Sequence, residues 1–210
     1  MNQIPLSFCY AVLSGGKSSR MGRDKSLLSV DGQSIIKRVV TDIQSFVTGQ
    51  NQLYLCSGEK RYDQLVDKPL NYLDDYLADY QGPLSGLAAI FQAIKLNPQS
   101  AYQWVFTFPT DTLLLPSETF DVLQKAIEQN PSAEVVYLGG GRDHPLHAAY
   151  RIDLAEALFD YLAEGHRAVM KFIQQRDCRV VEIPSNWQEY LNFNTEDGFV
   201  KAVEAYNQSN

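Results

Sequence analysis

The chain has 210 residues, a formal net charge of −7 and an ordinary globular composition, with 45% hydrophobic and 20% charged residues. This acidity argues against long nucleic acids or anionic membranes as partners, because both require extended basic surfaces. No apolar run approaches the ~20 residues that cross a bilayer, and the N-terminus lacks the pattern of a secretory signal. The 3 cysteines are too widely spaced for a disulfide framework or a zinc site. We therefore expect a cytoplasmic protein.

Hydrophobic periodicity predicts strands alternating with helices along the whole chain. The predicted strands span residues 8–13, 53–56, 70–73, 104–108, 134–138, 146–150 and 179–183. The predicted helices span residues 35–47, 60–66, 83–94, 117–129, 154–163 and 168–175, and a last one begins at Thr195; residues 139–145 are predicted to form a long loop. This alternation indicates one α/β domain over residues 1–210, Rossmann-like and three-layered, with a mostly parallel central sheet.

The stretch LSGGKSSRMGRDKSLL (13–28) concentrates basic residues in an acidic protein. Gly15 and Gly16 directly follow the first predicted strand, so the backbone can turn sharply there and present bare N–H groups. Four cations come next: Lys17, Arg20, Arg23 and Lys25. The pattern matches neither a Walker A loop nor a dinucleotide-binding Gly-x-Gly-x-x-Gly run. It favours a phosphate-binding loop, with a solvated basic loop as the alternative.

Three unusual segments follow predicted strands and should meet at one edge of the sheet: 14–25, 74–83 and 109–116. Asp111 lies in the third, and Mg²⁺ is commonly held by one or two carboxylates together with substrate phosphates. A simple Asx turn would also explain this aspartate. The second segment contains Asp74, Asp75 and Asp79, which could equally be solvated loop charges.

Two polar pairs occur in the C-terminal half. His144 and His147 are three residues apart, but no acidic residue completes a metal-ligand set on the same element. Asn192 and Asn194 are two residues apart, so on an extended segment they point to the same side. Their amides suit either a turn or hydrogen bonds to a heteroaromatic ring or a phosphate.

In combination, five motifs resemble those of nucleotidyltransferases that transfer NMP from an NTP, and most specifically the molybdenum cofactor guanylyltransferases, which join GMP from GTP to molybdopterin. The resemblance covers about residues 6–205 and implies a nucleotidyltransferase-type fold. Its motifs are LSGGxxxRMGxxK (13–25), ADYQGPLSGL (78–87), PTDT (109–112), RDHP (142–145) and NFNT (192–195).

The resemblance also implies roles for individual residues. Lys25 and Arg20 would neutralise the triphosphate, and Asp111 would hold Mg²⁺, the implied cofactor. The implied nucleotide-binding residues, in a part spanning about 6–115, are Leu13, Ser14, Gly15, Gly16, Lys25, Asp75, Gly82, Gly86 and Asp111. The implied acceptor-binding residues, in a part spanning about 116–205, are Arg142, His144, Arg167, Asn192 and Asn194.

The implied partners are GTP, molybdopterin and, transiently, proteins that deliver or receive the cofactor. The sequence departs from the family pattern in three places: Cys56 stands where an asparagine is common, Thr110 replaces a cysteine, and Arg167 is a single arginine where a pair is usual. A nucleotidyltransferase that uses CTP or a sugar-phosphate acceptor stays open. So does a catalytically silent nucleotide-binding module, although the presence of both Lys25 and Asp111 argues against it.

Overall fold

A computed structural model of the chain describes residues 6–15, 24–47, 52–66, 68–78, 81–97 and 100–209. The strands in this part are β1 (Phe8–Leu13), β2 (Ser29–Val30), β3 (Gln33–Ser34), β4 (Leu53–Cys56), β5 (Asn71–Leu73), β6 (Trp104–Pro109), β7 (Val135–Gly139), β8 (His144–Arg151) and β9 (Cys178–Glu182). The helices are α1 (Ile35–Phe46), α2 (Pro83–Leu96), α3 (Pro116–Gln129), α4 (Ala155–Ala163), α5 (Val169–Ile173) and α6 (Glu196–Ser209). None of the helices in these ranges combines the length and hydrophobicity required to cross a bilayer.

Seven strands form one sheet in the order β5-β4-β1-β6-β8-β7-β9. Strands β5, β4, β1 and β6 pair in parallel, as do β7 and β9, whereas β8 is antiparallel to both of its neighbours. The prediction of a mostly parallel sheet is therefore confirmed. Because β8 runs in the opposite direction, its first residue, His144, lies at the same edge as the last residues of β1 and β6.

Apolar side chains cover both faces of the sheet, as the three-layer prediction requires. Along β1, alternate residues pack against opposite layers, since successive side chains of a strand point to opposite faces. Phe8, Tyr10 and Val12 belong to the cluster that includes α1, α3 and α6. The intervening residues belong to the cluster formed with α2, α4 and α5. The sheet is thus a rigid scaffold for the loops at its edges.

Two predictions about segments between strands are wrong. Residues 60–66 form only a short 3-10 turn at Asp63–Leu65 instead of a helix. Ser57 Oγ donates to the Lys60 carbonyl (2.7 Å), so a side chain takes a carbonyl that a helix would pair. The Tyr62 N–H donates to Tyr72 Oη (2.6 Å), and Tyr62 has a non-helical φ of −125°. Residues 139–145 are not one long loop either, because β7 and β8 extend into them and leave a connection of residues 140–143.

Two smaller features also differ from the predictions. Ser117 does not cap α3, which starts at Pro116; its N–H and Oγ instead contact Asp42 of α1 at 2.7 and 3.0 Å. The β2–β3 hairpin was not predicted. Its turn places Asp31 and Gly32 at φ 51° and 76°, and this Asp-Gly pair is the signal that indicates such a turn.

Candidate active site

A cleft of about 280 Å³ opens at the edge of the sheet where the parallel strands end. Its walls come from the segments after β1, β5 and β6, which confirms that these three segments meet. Residues from the start of α2, from β8 and from the loop before α6 complete it. The cleft is lined by Leu13, Ser14, Gly15, Asp24, Lys25, Ser26, Cys56, Asp75, Gly82, Pro83, Gly86, Pro109, Thr110, Asp111, Leu146 and Asn194.

Lys25 occupies the junction between the two halves of the chain. It begins a 3-10 turn that Asp24 caps by accepting a hydrogen bond from the Ser26 N–H. The ammonium donates to the Phe193 carbonyl (3.1 Å) and to Asn194 Oδ1 (2.8 Å). It also lies 4.0 Å from Asp111 Oδ2. One cation therefore contacts the segment after β6 and the segment before α6.

Asp111 follows β6, and its backbone is held by hydrogen bonds to the segment before α6. Its carbonyl accepts from the Phe193 N–H (2.9 Å), and two residues later the Leu113 N–H donates to Tyr190 (2.9 Å). The Asp111 side chain is 28% exposed. Burial raises the pKa of the Asp111 carboxyl, whereas Lys25, a hydrogen bond from Asn192 and the charge of Arg142 act in the opposite direction. These neighbours favour the ionised form of the Asp111 carboxyl, although the carboxyl is partly shielded from water.

Asn192 and Asn194 interact with each other, with Nδ2 of Asn194 donating to Oδ1 of Asn192 at 2.7 Å. Through this pair, Asn194 reaches Lys25 and Asn192 reaches the Asp111 carboxylate. The shared orientation expected from their spacing is confirmed. The four side chains form a connected polar cluster, which we call the Lys25–Asp111 cluster (Lys25, Asp111, Asn192 and Asn194).

The donor set at this cluster suits a hard cation such as Mg²⁺ only together with substrate oxygens. Among the described residues, no group of three or more histidine, cysteine, aspartate or glutamate side chains is close enough to hold a metal by itself. Asp75 and Asp111 both line the cleft, and one or two carboxylates plus phosphates are the usual ligands of Mg²⁺. The residues present therefore fit Mg²⁺ brought in with a polyphosphate.

Two glycines shape the opposite wall. Gly82 has φ +93° at the start of α2, a backbone conformation that side chains disfavour. A Cβ at Gly86 would lie 3.3 Å from Cys56 Cβ and 3.4 Å from Leu13 Cδ2, so this glycine lets α2 approach the sheet closely. The N-terminus of α2 therefore opens onto the cleft, where the positive end of the helix dipole favours an anion.

Asp75 lies half-buried in the same wall. Burial and the neighbouring Asp74 both raise the pKa of its carboxyl.

Of the predicted acceptor-side residues, Asn194 lines the cleft, whereas Asn192, Arg142, His144 and Arg167 are not among its lining residues. Arg142 is exposed in the loop between β7 and β8, and its charge acts on Asp111. His144 starts β8, and burial, followed by the charge of Arg142, lowers the pKa of its imidazole. Arg167 Nε donates to Gln81 Oε1 at 2.7 Å, so the guanidinium is held next to the start of α2.

A chain of hydroxyl groups beneath the cleft was not predicted. Ser14 Oγ lies 2.7 Å from Ser26 Oγ and 3.0 Å from Tyr62 Oη, and Ser26 Oγ lies 2.8 Å from Thr110 Oγ1. Tyr62 Oη also donates to Asp24 Oδ2 at 2.8 Å. No local spacing connects residues so far apart in the chain. The only sequence signal is the aspartate preceding Lys25, which is typical of a capped turn.

Gly16 and Arg20, both predicted to contact the nucleotide, lie outside the described residues, as do Lys17, Arg23 and Asp79.

Comparison with known proteins identifies the same family over most of the chain. Residues 10–180 match the model of the MobA-like NTP transferase domain. A molybdenum cofactor guanylyltransferase of Haemophilus influenzae is 27% identical over 201 residues, covering 95% of this chain and 100% of the relative. Its counterpart from Rhizobium meliloti is 31% identical over 175 residues, covering 82% of this chain and 77% of the relative.

A solved structure has the same fold. The crystal structure of molybdopterin-guanine dinucleotide biosynthesis protein A from Archaeoglobus fulgidus superposes with a TM-score of 0.72 and 17% sequence identity. The match covers 95% of this chain and 98% of that one. With a family model that spans most of the sequence, an α/β sheet of the expected type and a polar cleft at its carboxyl edge, this chain belongs to the MobA-like NTP transferase family.

Proposed function

We propose that this protein transfers GMP from GTP to molybdopterin and releases pyrophosphate. The relatives named above carry the name guanylyltransferase, and the fold is that of a nucleotidyltransferase. The observation that carries the proposal is the Lys25–Asp111 cluster, because it brings together in one cleft an ammonium that would bind phosphate and a carboxylate that would bind a metal ion.

The nucleotide would lie between the segment after β1 and the start of α2. The backbone at Gly15, the N-terminus of α2 and the Lys25 ammonium all suit a polyphosphate. Asp75, which is half-buried in the same wall, would accept hydrogen bonds from the nucleoside. Arg20 and Gly16 belong to this proposal through their place in the LSGGxxxRMGxxK motif.

In the proposed reaction, a phosphate oxygen of molybdopterin attacks the α-phosphorus of GTP. A new P–O bond forms to the acceptor as the bond from the α-phosphorus to the bridging oxygen breaks, and pyrophosphate leaves with that electron pair. Little covalent chemistry is required of the protein, so its contribution is to orient the two phosphates and to stabilise developing charge. Lys25 would act on the triphosphate, and Arg142, His144, Arg167 and the two asparagines would act on the acceptor.

Asp111 would hold Mg²⁺. When bound, the ion supplies positive charge next to the phosphates. Burial on balance raises the pKa of the Asp111 carboxyl, and the chain's own contribution is to oppose this effect through Lys25 and Asn192, both of which favour the ionised form. An ionised carboxylate is the form that a hard cation binds.

We further propose that the protein acts in a reducing compartment, and that it transiently contacts proteins that deliver or receive molybdopterin. Cys9, Cys56 and Cys178 are all free thiols, which suits the cytoplasm.

A CTP-dependent or sugar-phosphate-dependent activity is less well supported. A CMP-2-keto-3-deoxy-manno-octonic acid synthetase complexed with CTP has a TM-score of 0.69 to this chain, but at 14% identity it shows the fold alone. A silent nucleotide-binding module would not need Lys25 and Asp111 in contact within the cleft.

The test is pyrophosphate release from GTP, CTP or ATP in the presence of Mg²⁺ and molybdopterin. We expect release with GTP, and only when molybdopterin is present. Lys25→Ala should abolish most of it, whereas Lys125→Ala, which removes an exposed lysine from α3, should behave as the native protein. Equal or faster release with CTP would refute the assignment of GTP and leave the fold assignment untouched.

A further inference from the structure

Tyr62 is a buried tyrosine in the loop between β4 and β5, outside every motif discussed above. Its side chain is 3% exposed. Its hydroxyl donates to Asp24 Oδ2 at 2.8 Å and lies 3.0 Å from Ser14 Oγ. It thus connects a loop of no assigned role to two residues that line the cleft.

Asp24 is held from three directions. Its Oδ1 accepts from the Ser26 N–H (3.1 Å) and pairs with Lys60 Nζ (3.1 Å), while Oδ2 accepts from Tyr62. The first of these bonds caps the turn whose first residue is Lys25. Two of the three partners, Lys60 and Tyr62, come from the β4–β5 loop. The position of the Lys25 turn is therefore fixed by that loop.

The charge of Asp24 also sets the direction of the hydroxyl chain. A carboxylate can only accept, so the single proton of Tyr62 must point to it. Ser14 then donates to Tyr62, Ser26 donates to Ser14, and Thr110 donates to Ser26, because each hydroxyl has one proton to give. Hydrogen bonds aligned in this way reinforce one another. The chain runs from the residue before Asp111 to the carboxylate before Lys25.

We propose that Tyr62 is a positioning residue, which acts through Asp24 and, by way of Ser14, through Ser26 to hold the turn of Lys25 in the geometry that binds a triphosphate. Lys60 supports the same carboxylate from the rim. This inference rests on the proposed function only in taking Lys25 as a ligand of the triphosphate. It does not depend on which base or acceptor the enzyme uses.

Tyr62→Phe removes the hydroxyl and keeps the ring in its buried place. The test is calorimetric titration with inorganic triphosphate and Mg²⁺ for the native protein, Tyr62→Phe, Lys25→Met and the double variant. Tyr161→Phe is the matched control, because Tyr161 is also buried and its hydroxyl donates to the Ala168 carbonyl at 3.0 Å, outside the hydroxyl chain.

We expect Tyr62→Phe to weaken triphosphate binding by about tenfold, within the range measured for coupled neighbours. In the Lys25→Met background the same change should have no further effect, since its target has been removed. A purely structural role would instead give additive losses, and that result would overturn the inference. Native affinity in Tyr62→Phe, or no triphosphate binding by the native protein, would overturn it too.

Lys60→Met provides a second route if Tyr62→Phe does not fold. Lys60 is partly exposed, so its replacement disturbs the core little. We expect a smaller loss of triphosphate affinity that also disappears in the Lys25→Met background, and an additive loss would refute the role of Asp24. A native protein that binds triphosphate without releasing pyrophosphate from GTP and molybdopterin would refute the proposed function alone.

Discussion

His147 provides a quantitative prediction about the stability of the C-terminal half of the fold. It lies in β8, is 3% exposed, and has no hydrogen-bond partner for either ring nitrogen among the described residues. Burial, and secondly His144, lower its pKa from 6.5 to about 3, and only the nearby Leu191 backbone acts in the opposite direction. The imidazole is therefore neutral in the folded protein at any pH where the unfolded chain would begin to protonate it.

The sign of the effect follows from this difference. Between about pH 6.5 and 3 the unfolded state binds a proton that the folded state does not, so stability is lost as the pH falls through that window. At pH ~5.5, one unit below the unfolded value, the loss is about 1.4 kcal/mol relative to pH ~8. That pH also stays above the isoelectric point of 4.9, where solubility is lowest.

We expect His147→Phe to abolish this contribution. Urea unfolding of the native protein and the variant at pH ~8 and ~5.5 measures it, because only the difference between their pH dependences reports on this histidine. The native protein should lose about 1.4 kcal/mol more than the variant between the two pH values. His147→Leu, whose side chain is smaller than that of His147→Phe, should give the same difference from the native protein, even if the two variants differ in stability at pH ~8. Identical pH dependences would show that the imidazole protonates in place, and would refute the reasoning.

The other predictions concern the cleft. Asp111→Asn should leave the fold intact by circular dichroism but abolish Mg²⁺-dependent pyrophosphate release, since an amide lacks the anionic oxygen that a hard cation requires; native turnover would rule out the metal role. Asn192→Asp should move the acidic limb of the pH–activity profile to higher pH, because it replaces a hydrogen-bond donor to the Asp111 carboxylate by a second negative charge, and an unshifted limb would contradict this contact. Asn194→Asp should weaken GTP binding as well as acceptor use, because a carboxylate there would pair with Lys25, and unchanged GTP affinity in a titration would contradict it. Gly86→Val should lower nucleotide affinity by moving α2 away from Cys56, with Gly141→Val, at a position where an added Cβ meets no neighbouring atom, as the control.

The sequence predicted those parts of the structure that depend on local periodicity. The apolar stripe of α1, the run of β6 and the proline at the start of α2 each specify an element that the structure confirms. Residues 60–66 failed this approach because the Ser57 hydroxyl takes the Lys60 carbonyl and because Tyr72, on β5, accepts from the Tyr62 N–H. The contact with Tyr72 depends on where the sheet places β5, which a local window of sequence does not show.

The candidate site shows the same division. The three segments that contain Lys25, Asp75 and Asp111 could be selected from the sequence because each follows a predicted strand, and strand ends meet at one edge. The choice of Asp75 among the three aspartates of its segment came from the family resemblance. The contact between Lys25 and Asn194 could not, since 169 residues separate them. It arises from the position of the segment before α6, where Phe193 pairs with the Asp111 backbone. Tertiary pairing of this kind has no counterpart in motif spacing.

The bonds of Lys25 to Phe193 and Asn194 have a consequence for how the two substrates affect each other. In the structure this ammonium donates to two oxygens on the side of the cleft that we propose for the acceptor. A nucleotide that attracts the ammonium toward its phosphates leaves the Phe193 carbonyl and Asn194 Oδ1 without this donor. Both oxygens are then available to hydrogen-bond donors of the acceptor, so the nucleotide changes the surface that the acceptor contacts. Thermodynamic linkage makes the effect reciprocal: whatever factor GTP imposes on the affinity for the acceptor, the acceptor must impose on the affinity for GTP. The size of this coupling is then governed by the relative free energies of one lysine side chain in two positions.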